Sequence, residues 1–502
     1  MDGQDRLRPP QNVPLEPHER TALLPRTRTP LPWSQLFVLF WVQLAEPLTS
    51  QVIYPFINKM VSELPITDGE ESKTGYYVGL IESLFYVTQA MTSLYWSRLS
   101  DRIGRKPVII IGLLGLTVST GLFGVSRSFE GLILSRCLSG VLNGNAGTIK
   151  SMMGEITDET NVAQAMALLP IIWNTGATVA PVIGGWLSNP HEQFPALFPG
   201  DFWKIYPYAL PCFVVAVYCF GSVMITLLYL DESMKHSSPT TSALESATTS
   251  HTSSGPTHLP LSQILTPKVR VAIIAYAVLA FLDIALRALQ PLFLTTSPSF
   301  GGLGFSVPAV GTCLAAFFVG SGLYQAVAFT PLYEWMGPKK IYVVSMVTFV
   351  PIFTLFPMMR VSLDDRGSMN AVTWVELVIQ LILYVIMDMA FSSALIYIRA
   401  SAPNPYSLGA TNGLAQTAVS IARAFGPVST TSLFAVSVEI WLWSRSQWDD
   451  TWFKIVLAWL GGNLVYVVLI LISIGAVAAA KRLPEKPTLG GGVDEVGVEQ
   501  CP

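Results

Sequence analysis

The 502-residue sequence predicts an all-α membrane protein of twelve transmembrane helices, arranged as two six-helix bundles related by pseudo-symmetry. Three observations predict this class. Hydrophobic residues make up 51% of the chain, and Asp, Glu, Lys and Arg only 13%, about half their share in an ordinary globular protein. Apolar runs of about 20 residues, the length that crosses the hydrocarbon core, recur along the chain. A long polar stretch divides these runs into two sets of six.

The polar stretch and the two tails set the predicted domain boundaries. Residues 231–265 are rich in Ser, Thr, His and Pro, a composition that cannot bury a core, and they predict a flexible linker. Residues 1–32 and 483–502 predict disordered tails. The N-terminal bundle then covers 33–230 and the C-terminal bundle 266–482. The predicted spans are 34–57, 76–97, 107–126, 130–150, 163–188, 205–230, 269–291, 307–332, 340–359, 372–398, 409–436 and 453–480.

The distribution of Lys and Arg predicts the orientation. Eighteen of them fall in the tails, the linker and the even-numbered loops, against eight on the other face, so both termini and the linker are predicted to be cytoplasmic. The first thirty residues contain no apolar stretch, and the first span is therefore expected to be retained as an anchor. The segment Glu19–Leu24 fits an acidic dileucine sorting pattern, which favours a vacuolar membrane, with the plasma membrane as the alternative.

Composition and motifs also exclude several functions. The net charge of −3 gives no reason to expect nucleic acid as a partner. The five cysteines have no metal-type spacing, so no metal site is predicted. The intramembrane acids and bases form no nucleophile–base set, so no catalytic site is predicted and the chain is not expected to be an enzyme. Because the phosphate-loop pattern is absent from the sequence, we expect no nucleotide cofactor. The expected coupling ion is the proton.

A basic turn between the second and third spans, residues 96–107, has a counterpart in the second half at 332–340. The two align acid with acid, glycine with glycine and lysine with lysine, which indicates internal duplication. Gly104 permits the tight reversal and Pro107 begins the next helix. The turn is predicted either as a gating loop or as a simple positive-inside anchor. The residues involved are Asp101, Arg102, Gly104, Arg105 and Lys106, and Glu334, Gly337 and Lys339.

The basic turn resembles the G-x-L-x-D-R-x-G-R-K signature of the major facilitator superfamily, although Trp96 or Ser97 stands in place of its first glycine. Residues 134–140 resemble the fourth-helix arginine motif. Residues 176–185 resemble the fifth-helix glycine motif of proton antiporters, with Gly176, Pro181, Gly184 and Gly185 matching and Ala180 replacing a glycine. Short stretches at 44–48, 143–147 and 154–161 are similar to the fungal and plant zinc-induced-facilitator-like and tetracycline-resistance-type branch. The resemblance implies the major facilitator fold and transport.

Two charges inside the predicted spans are singled out as the coupling site. A charge at the bilayer centre costs roughly 2.5–3.5 kcal/mol on insertion scales. Glu46 lies mid-span before Pro47, and Arg136 lies in the fourth span. Since the first and fourth spans of a facilitator half both face the cavity, we expect this acid and this base to meet there. Glu46 is the predicted protonatable group and Arg136 its modulator, the latter in line with the role that the resemblance gives to the fourth-helix arginine.

Other polar residues at membrane depth are candidates for lining the cavity. Each also has a structural interpretation: Asp283 and Arg287 stand four apart and could neutralise each other, Arg423 could bind carbonyls where its helix bends, and amides could bridge helices. The candidates are Gln89, Asn143, Lys150, Trp173, Asn174, Asp283, Arg287, Gln325, Asp388, Gln416 and Arg423.

Together these patterns predict a secondary active transporter that exchanges protons for a small organic solute or drug by alternating access. A nutrient uniporter or proton symporter is the alternative within transport, and a membrane sensor that kept the fold but lost flux is the alternative of another class. The expected partners are the lipid bilayer and a small-molecule substrate, with the protein as a monomer. Because the coupling motifs lie in the first half, coupling is expected there and solute selection in the second half.

Overall fold

The computed structural model describes residues 29–67, 73–157, 161, 165, 168–233, 261–364, 369–403, 408–447 and 462–485. Within these ranges the regular structure is helical. Among the described residues, seven segments are long and apolar enough to cross a membrane. The first and fourth predicted spans are divided into shorter helices, whereas the second lies in the continuous helix Thr74–Ile103. The twelfth predicted span, 453–480, is described from residue 462 onward.

The first half contains eleven α-helices and the second half seven among the described residues. The first eleven are α1 Trp33–Gln43, α2 Ala45–Gln51, α3 Ile57–Ser62, α4 Thr74–Ile103, α5 Arg105–Val125, α6 Phe129–Leu142, α7 Asn145–Ile156, α8 Leu169–Trp186, α9 Pro190–Gln193, α10 Asp201–Ile205 and α11 Ala209–Tyr229. The others are α12 Leu261–Ile264, α13 Pro267–Thr295, α14 Val307–Val347, α15 Phe349–Val361, α16 Ala371–Ser401, α17 Leu408–Gln447 and α18 Leu464–Ala480. Short 3₁₀ turns cover Pro65–Thr67 and Pro298–Phe300.

Two predicted spans are divided into shorter helices. The first span becomes α1, α2 and α3, and Pro47 lies in the opening turn of α2, where its missing N–H donor is harmless. The fourth span divides at Asn143 and Gly144 into α6 and α7. Between the eighth and ninth spans, α14 is interrupted at Gly337, whose φ of 74° and ψ of 164° are not helical, so that α14 consists of two helical segments on either side of this kink. Each irregularity falls at a glycine, asparagine or proline that weakens the helix locally.

Buried apolar residues form two cores. One is built from residues of the first half together with Val307. The other is built from the second half together with Tyr54 and Ala177. Each core therefore recruits residues from the other half where the two halves meet. The principal contacts between halves are α4 with α17 and α8 with α14.

The start of α1, the residues after α11 and the basic turn lie at one face, called here the linker face. Gln35 near the start of α1 donates to the Asp231 carboxylate over 2.8 Å. The neighbouring Glu232 accepts from the Arg105 N–H over 2.9 Å. In the second half, the Tyr397 hydroxyl donates to the Pro484 carbonyl over 2.9 Å. The face at the other end of these helices, where α4 and α14 begin, is called the opposite face.

The two halves close on each other toward the opposite face. Gly75 and Gly79 in the first turns of α4 pack on Thr431 of α17, and a methyl group at either glycine would overlap it. Gly185 near the end of α8 packs on Val307 and Gly311 at the start of α14. This conformation is therefore sealed on the side away from the linker face.

Candidate functional site

The two predicted turns share an unusual backbone conformation. Gly104 has φ 102° and ψ 164°, and Gly337 has φ 74° and ψ 164°. This region of positive φ is essentially restricted to glycine. The matched conformation at aligned positions accords with the duplication that the two sequences indicate.

The first-half turn is fixed by acids from outside it. The Arg105 guanidinium lies 2.8 Å from a Glu155 carboxylate oxygen and 2.6 Å from the Ser100 hydroxyl. Glu232 accepts from the backbone N–H groups of Arg105 and Lys106 at the start of α5, where a carboxylate is favoured by the helix dipole. The Lys106 ammonium donates to a carbonyl at the end of α11 over 3.0 Å. The Asp101 side chain lies outside the described part of the chain, while Arg102 and Glu334 are exposed and Lys339 is half-buried.

The glycine motif of α8 packs against both halves. Gly176, Pro181, Gly184 and Gly185 are all buried. Gly176 faces Pro47, and Gly184 faces the Val52 carbonyl. Small residues allow this close approach of helix backbones. The motif thus holds the broken first span on one side and, through Gly185, the start of α14 on the other.

Glu46 lies near the break between α1 and α2. Its carboxylate accepts from the Gln43 amide over 3.2 Å. The cations that interact with it electrostatically are Lys150 of α7 and, from the second half, Arg423 of α17. Glu46 is half-buried and Lys150 is exposed. An acid of the first span therefore faces cations from both halves.

The expected meeting of Glu46 with Arg136 is not what the structure shows. Arg136 is 6% exposed, with its guanidinium 4.6 Å from the centroid of the Phe85 ring. The groups that interact with it electrostatically are Tyr54, Tyr86 and Glu82. Arg136 packs on Phe85 of α4 and also lines a small cavity together with Thr49 of α2. The role of Glu46 in proton binding stays a prediction.

Glu82 is the charged residue that sequence reasoning missed. It lies in the first third of α4 and is 1% exposed, and neither carboxylate oxygen has a hydrogen-bond partner among the described residues. In the same part of the chain, the Arg136 Nε is buried and also without a partner. We call Glu82, Arg136, Tyr54 and Tyr86 the unpaired cluster. A small cavity beside Arg136 is lined by hydroxyl side chains of Thr49, Ser119, Thr120, Ser135 and Ser139.

The second half contains a differently arranged group, called here the paired cluster. The Arg287 Nε lies 2.9 Å from each Asp283 carboxylate oxygen. An Nη of the same guanidinium lies 3.9 Å from Asp388. Asp388 also accepts from the Ser321 hydroxyl. The structural interpretation of Asp283 and Arg287 as a neutralising pair matches this geometry, with Asp388 as a third member.

The remaining predicted cavity residues are spread over several environments. Gln325 donates to the Ser392 hydroxyl, which is the bridging role expected of mid-span amides. Asn174 lies beside Gly322 across the α8–α14 contact. Trp173 packs on the second-half core. Asn143 is buried at the break after α6, Gln89 is half-buried on α4, Gln416 is exposed, and Arg423 is half-buried.

A cavity of about 450 Å³ opens at the opposite face between the halves. First-half residues at its wall include Asn58, Lys59 and Glu63, and second-half residues include Thr295 and Val307. Asn58 is 3% exposed, and neither polar atom of its side chain has a hydrogen-bond partner. The cavity lies outside the sealed contacts between the halves.

The family model described as Major Facilitator Superfamily matches residues 39–427. The major facilitator-type transporter psiT2 of Psilocybe cyanescens is 28% identical, covering 94% of this chain and 97% of that protein. The efflux pump azaK of Aspergillus niger is 28% identical over 81% and 82% of the two chains. Protein ZINC INDUCED FACILITATOR 1 of Arabidopsis thaliana is 27% identical over 89% and 90%.

Solved structures show the same fold at low identity. A bacterial homologue of the human lysosomal transporter Spinster, in an inward-facing and occupied conformation, gives a TM-score of 0.64 at 15% identity, over 91% of this chain and 98% of that one. The human organic anion transporter MFSD10 gives 0.60 at 17% identity, over 90% and 100%. The chain thus shares its helical architecture with membrane transporters along nearly its full length.

Proposed function

This chain belongs to the Major Facilitator Superfamily, and we propose that it is a proton-coupled antiporter that exports or sequesters a small organic solute or drug by alternating access. It is an integral, multi-pass membrane transporter and not an enzyme. The observation that carries proton coupling is the position of Glu46. This carboxyl lies within the first predicted span, at a helix break, and interacts with cations from both halves.

A carboxyl in this position can exchange protons as the halves move. Protonation removes its interaction with Lys150 and Arg423, and deprotonation restores that interaction. Because Arg423 belongs to the other half, the charge of Glu46 changes the electrostatic interaction between the two halves. Relatives named as an efflux pump and as a multidrug transporter support the choice of an organic solute and of export.

The test is uptake into proteoliposomes of a panel of radiolabelled organic cations, anions and zwitterions, with and without an imposed pH gradient. We expect at least one compound to accumulate only when the gradient is present. Accumulation without gradient dependence would favour a uniporter. Binding with no flux of any compound would favour the sensor.

The Glu46→Gln variant tests the proposed residue. Because the amide cannot bind and release a proton, we expect gradient-driven accumulation to be lost while exchange of the compound across the membrane continues. Glu130→Gln is the matched control, since Glu130 is an exposed acid of the same half. Gradient-driven transport at the unaltered level by E46Q would overturn the assignment.

We also propose that both termini lie in the cytoplasm, that the membrane is vacuolar or plasma membrane, and that the protein is a monomer. The excess of Lys and Arg in the tails and even-numbered loops supports the orientation. Epitope tags at the two ends of the chain test it, because both should be digested by protease from the same side. Protection of one tag alone would contradict it.

A further inference from the structure

We propose that Glu82 is a proton-binding site whose protonation is linked to closure of the two halves at the opposite face. The inference rests on the proposed proton-coupled function and adds a second acid to it, on a different helix from Glu46. Glu82 lies on α4, the helix that packs on α17 where the halves close.

The surroundings of Glu82 favour its neutral form in this conformation. The side chain is 1% exposed, and within the part of the chain that the structure describes both carboxylate oxygens lack a hydrogen-bond partner. A buried carboxylate without such partners carries a large desolvation cost, and protonation removes most of it. Gain or loss of a proton by Glu82 therefore changes the free energy of the closed conformation.

The same face of α4 forms the seal. Gly75, Gly79 and Glu82 stand at positions i, i+4 and i+7, which lie on one side of a helix. Both glycines pack on Thr431 of α17 so closely that a methyl group would overlap it. One residue beyond Glu82, the Ser83 hydroxyl accepts from the Val428 N–H of α17 over 3.0 Å. Water therefore reaches Glu82 from this side only when α4 and α17 separate.

The charged and titratable groups around Glu82 come from several elements. Arg136 of α6 and Tyr54 of the segment after α2 interact with it electrostatically, as does Tyr86 one turn further along α4. Arg423 of α17 and Arg287 of α13 act on Tyr86, and Glu439 of α17 acts on Tyr76 nearer the opposite face. The cations and acids of α5 and α7 at the linker face are Arg105, Lys106, Lys150 and Glu155. Arg136 is therefore the cation that interacts with Glu82 and would stabilise its ionised form.

Linkage between protonation and closure follows from this arrangement. With α4 and α17 apart, Glu82 is hydrated, and its carboxylate takes a proton from water to form an O–H bond. Closing the seal around the neutral acid avoids burying a carboxylate. If closure favours the protonated form, then protonation must favour closure to the same extent. When Glu82 loses the proton to water, the carboxylate forms again and interacts with Arg136. The open conformation of the seal is then favoured.

The test measures the seal directly and needs no substrate. Spin labels are placed at Leu80 of α4 and Leu442 of α17, both partly exposed, after replacement of the five native cysteines. Distance distributions are recorded in lipid nanodiscs from about pH 5 to about pH 9, and the closed-to-open ratio is expected to fall by up to about tenfold per pH unit above the midpoint. In the Glu82→Gln variant the ratio should stay at its low-pH value throughout.

Two further variants keep the outcome decisive. Glu130→Gln, an exposed acid of the same half, should leave the pH dependence of the ratio unchanged. Glu82→Asp retains a titratable group and should move the midpoint of the transition without abolishing it. The proposal is overturned if E82Q shows the same pH dependence as the labelled parent or, where E82Q does not fold, if E82D leaves the midpoint unmoved. The proposed function fails separately, when the unaltered protein transports solute with no response to a pH gradient.

Discussion

In the second half, the Arg287 guanidinium lies between two carboxylates, 2.9 Å from Asp283 and 3.9 Å from Asp388. In the first half, Arg136 lies over the Phe85 ring, and among the described residues Glu82 has no hydrogen-bond partner for either oxygen. The charges of the paired cluster contact one another directly, although one Nη of Arg287 has no hydrogen-bond partner among the described residues. The carboxylate of the unpaired cluster makes no such contact, so the cost of its burial is not offset in this way.

This difference teaches where a change of charge has the larger consequence. Removing one partner from a paired, buried group leaves an uncompensated charge, which weakens the fold. Protonation of a buried acid without a partner removes the desolvation cost of its carboxylate, which shifts the equilibrium between conformations that bury and expose it. We therefore assign a structural role to the paired cluster and a coupling role to the unpaired cluster. The expectation, drawn from the asymmetry of the motifs, that coupling belongs to the first half stays a prediction.

The largest effect is expected from Arg287→Gln, which breaks the paired cluster. The change leaves Asp283 and Asp388 buried without their cation, and we expect the folded state to lose about 3–5 kcal/mol. Thermal unfolding of the purified protein in detergent measures the loss. The double variant Asp283→Asn with Arg287→Gln is the control, because it removes one acid with the cation and should recover part of the stability. A single variant as stable as the parent would show that the cluster is not structural.

A second experiment contrasts one acid from each half. Asp388→Asn weakens the interaction with Arg287 and the hydrogen bond from Ser321, and we expect a loss of about 1.5–3 kcal/mol. Glu82→Gln removes no hydrogen bond, so its expected change is below about 1 kcal/mol. Both are measured by thermal unfolding at the same pH. If E82Q proved the more destabilising of the two, the distinction between the clusters would be lost.

Several features of the fold could be predicted from the sequence because each depends on local composition. Apolar length predicted the transmembrane helices, and the aligned turns predicted the duplication. The break within the fourth span was not predicted, although Gly144 marks it. A run of apolar residues indicates that a segment enters the membrane, but it does not show whether the helix is continuous there.

The candidate site was less accessible to sequence reasoning because it depends on which way each helix faces. Glu46 and Arg136 were both recognised as costly charges, but their partners come from other helices and could not be read from spacing. Glu82 was missed although a signal was present. Gly75 and Gly79 mark the side of α4 that approaches another helix closely, and Glu82 lies on that side. A small-residue pair followed by an acid at i+7 thus indicates a buried acid at a contact between helices.

The smallest effect expected here is a difference between the two turn glycines. Gly104→Ala and Gly337→Ala both place a Cβ in a backbone conformation that costs of order 1–3 kcal/mol. At Gly104 the added methyl would also meet the Glu232 carboxylate, whereas nothing lies within 4 Å at Gly337. Because Glu232 would have to give up hydrogen bonds to the start of α5, we expect G104A to cost about 1 kcal/mol more than G337A. Gly121→Ala, at a helical glycine with open space around it, controls for the substitution itself. Equal losses at the two turns would mean that Glu232 moves aside freely, and that the first-half turn is held by its Arg105–Glu155 contact instead.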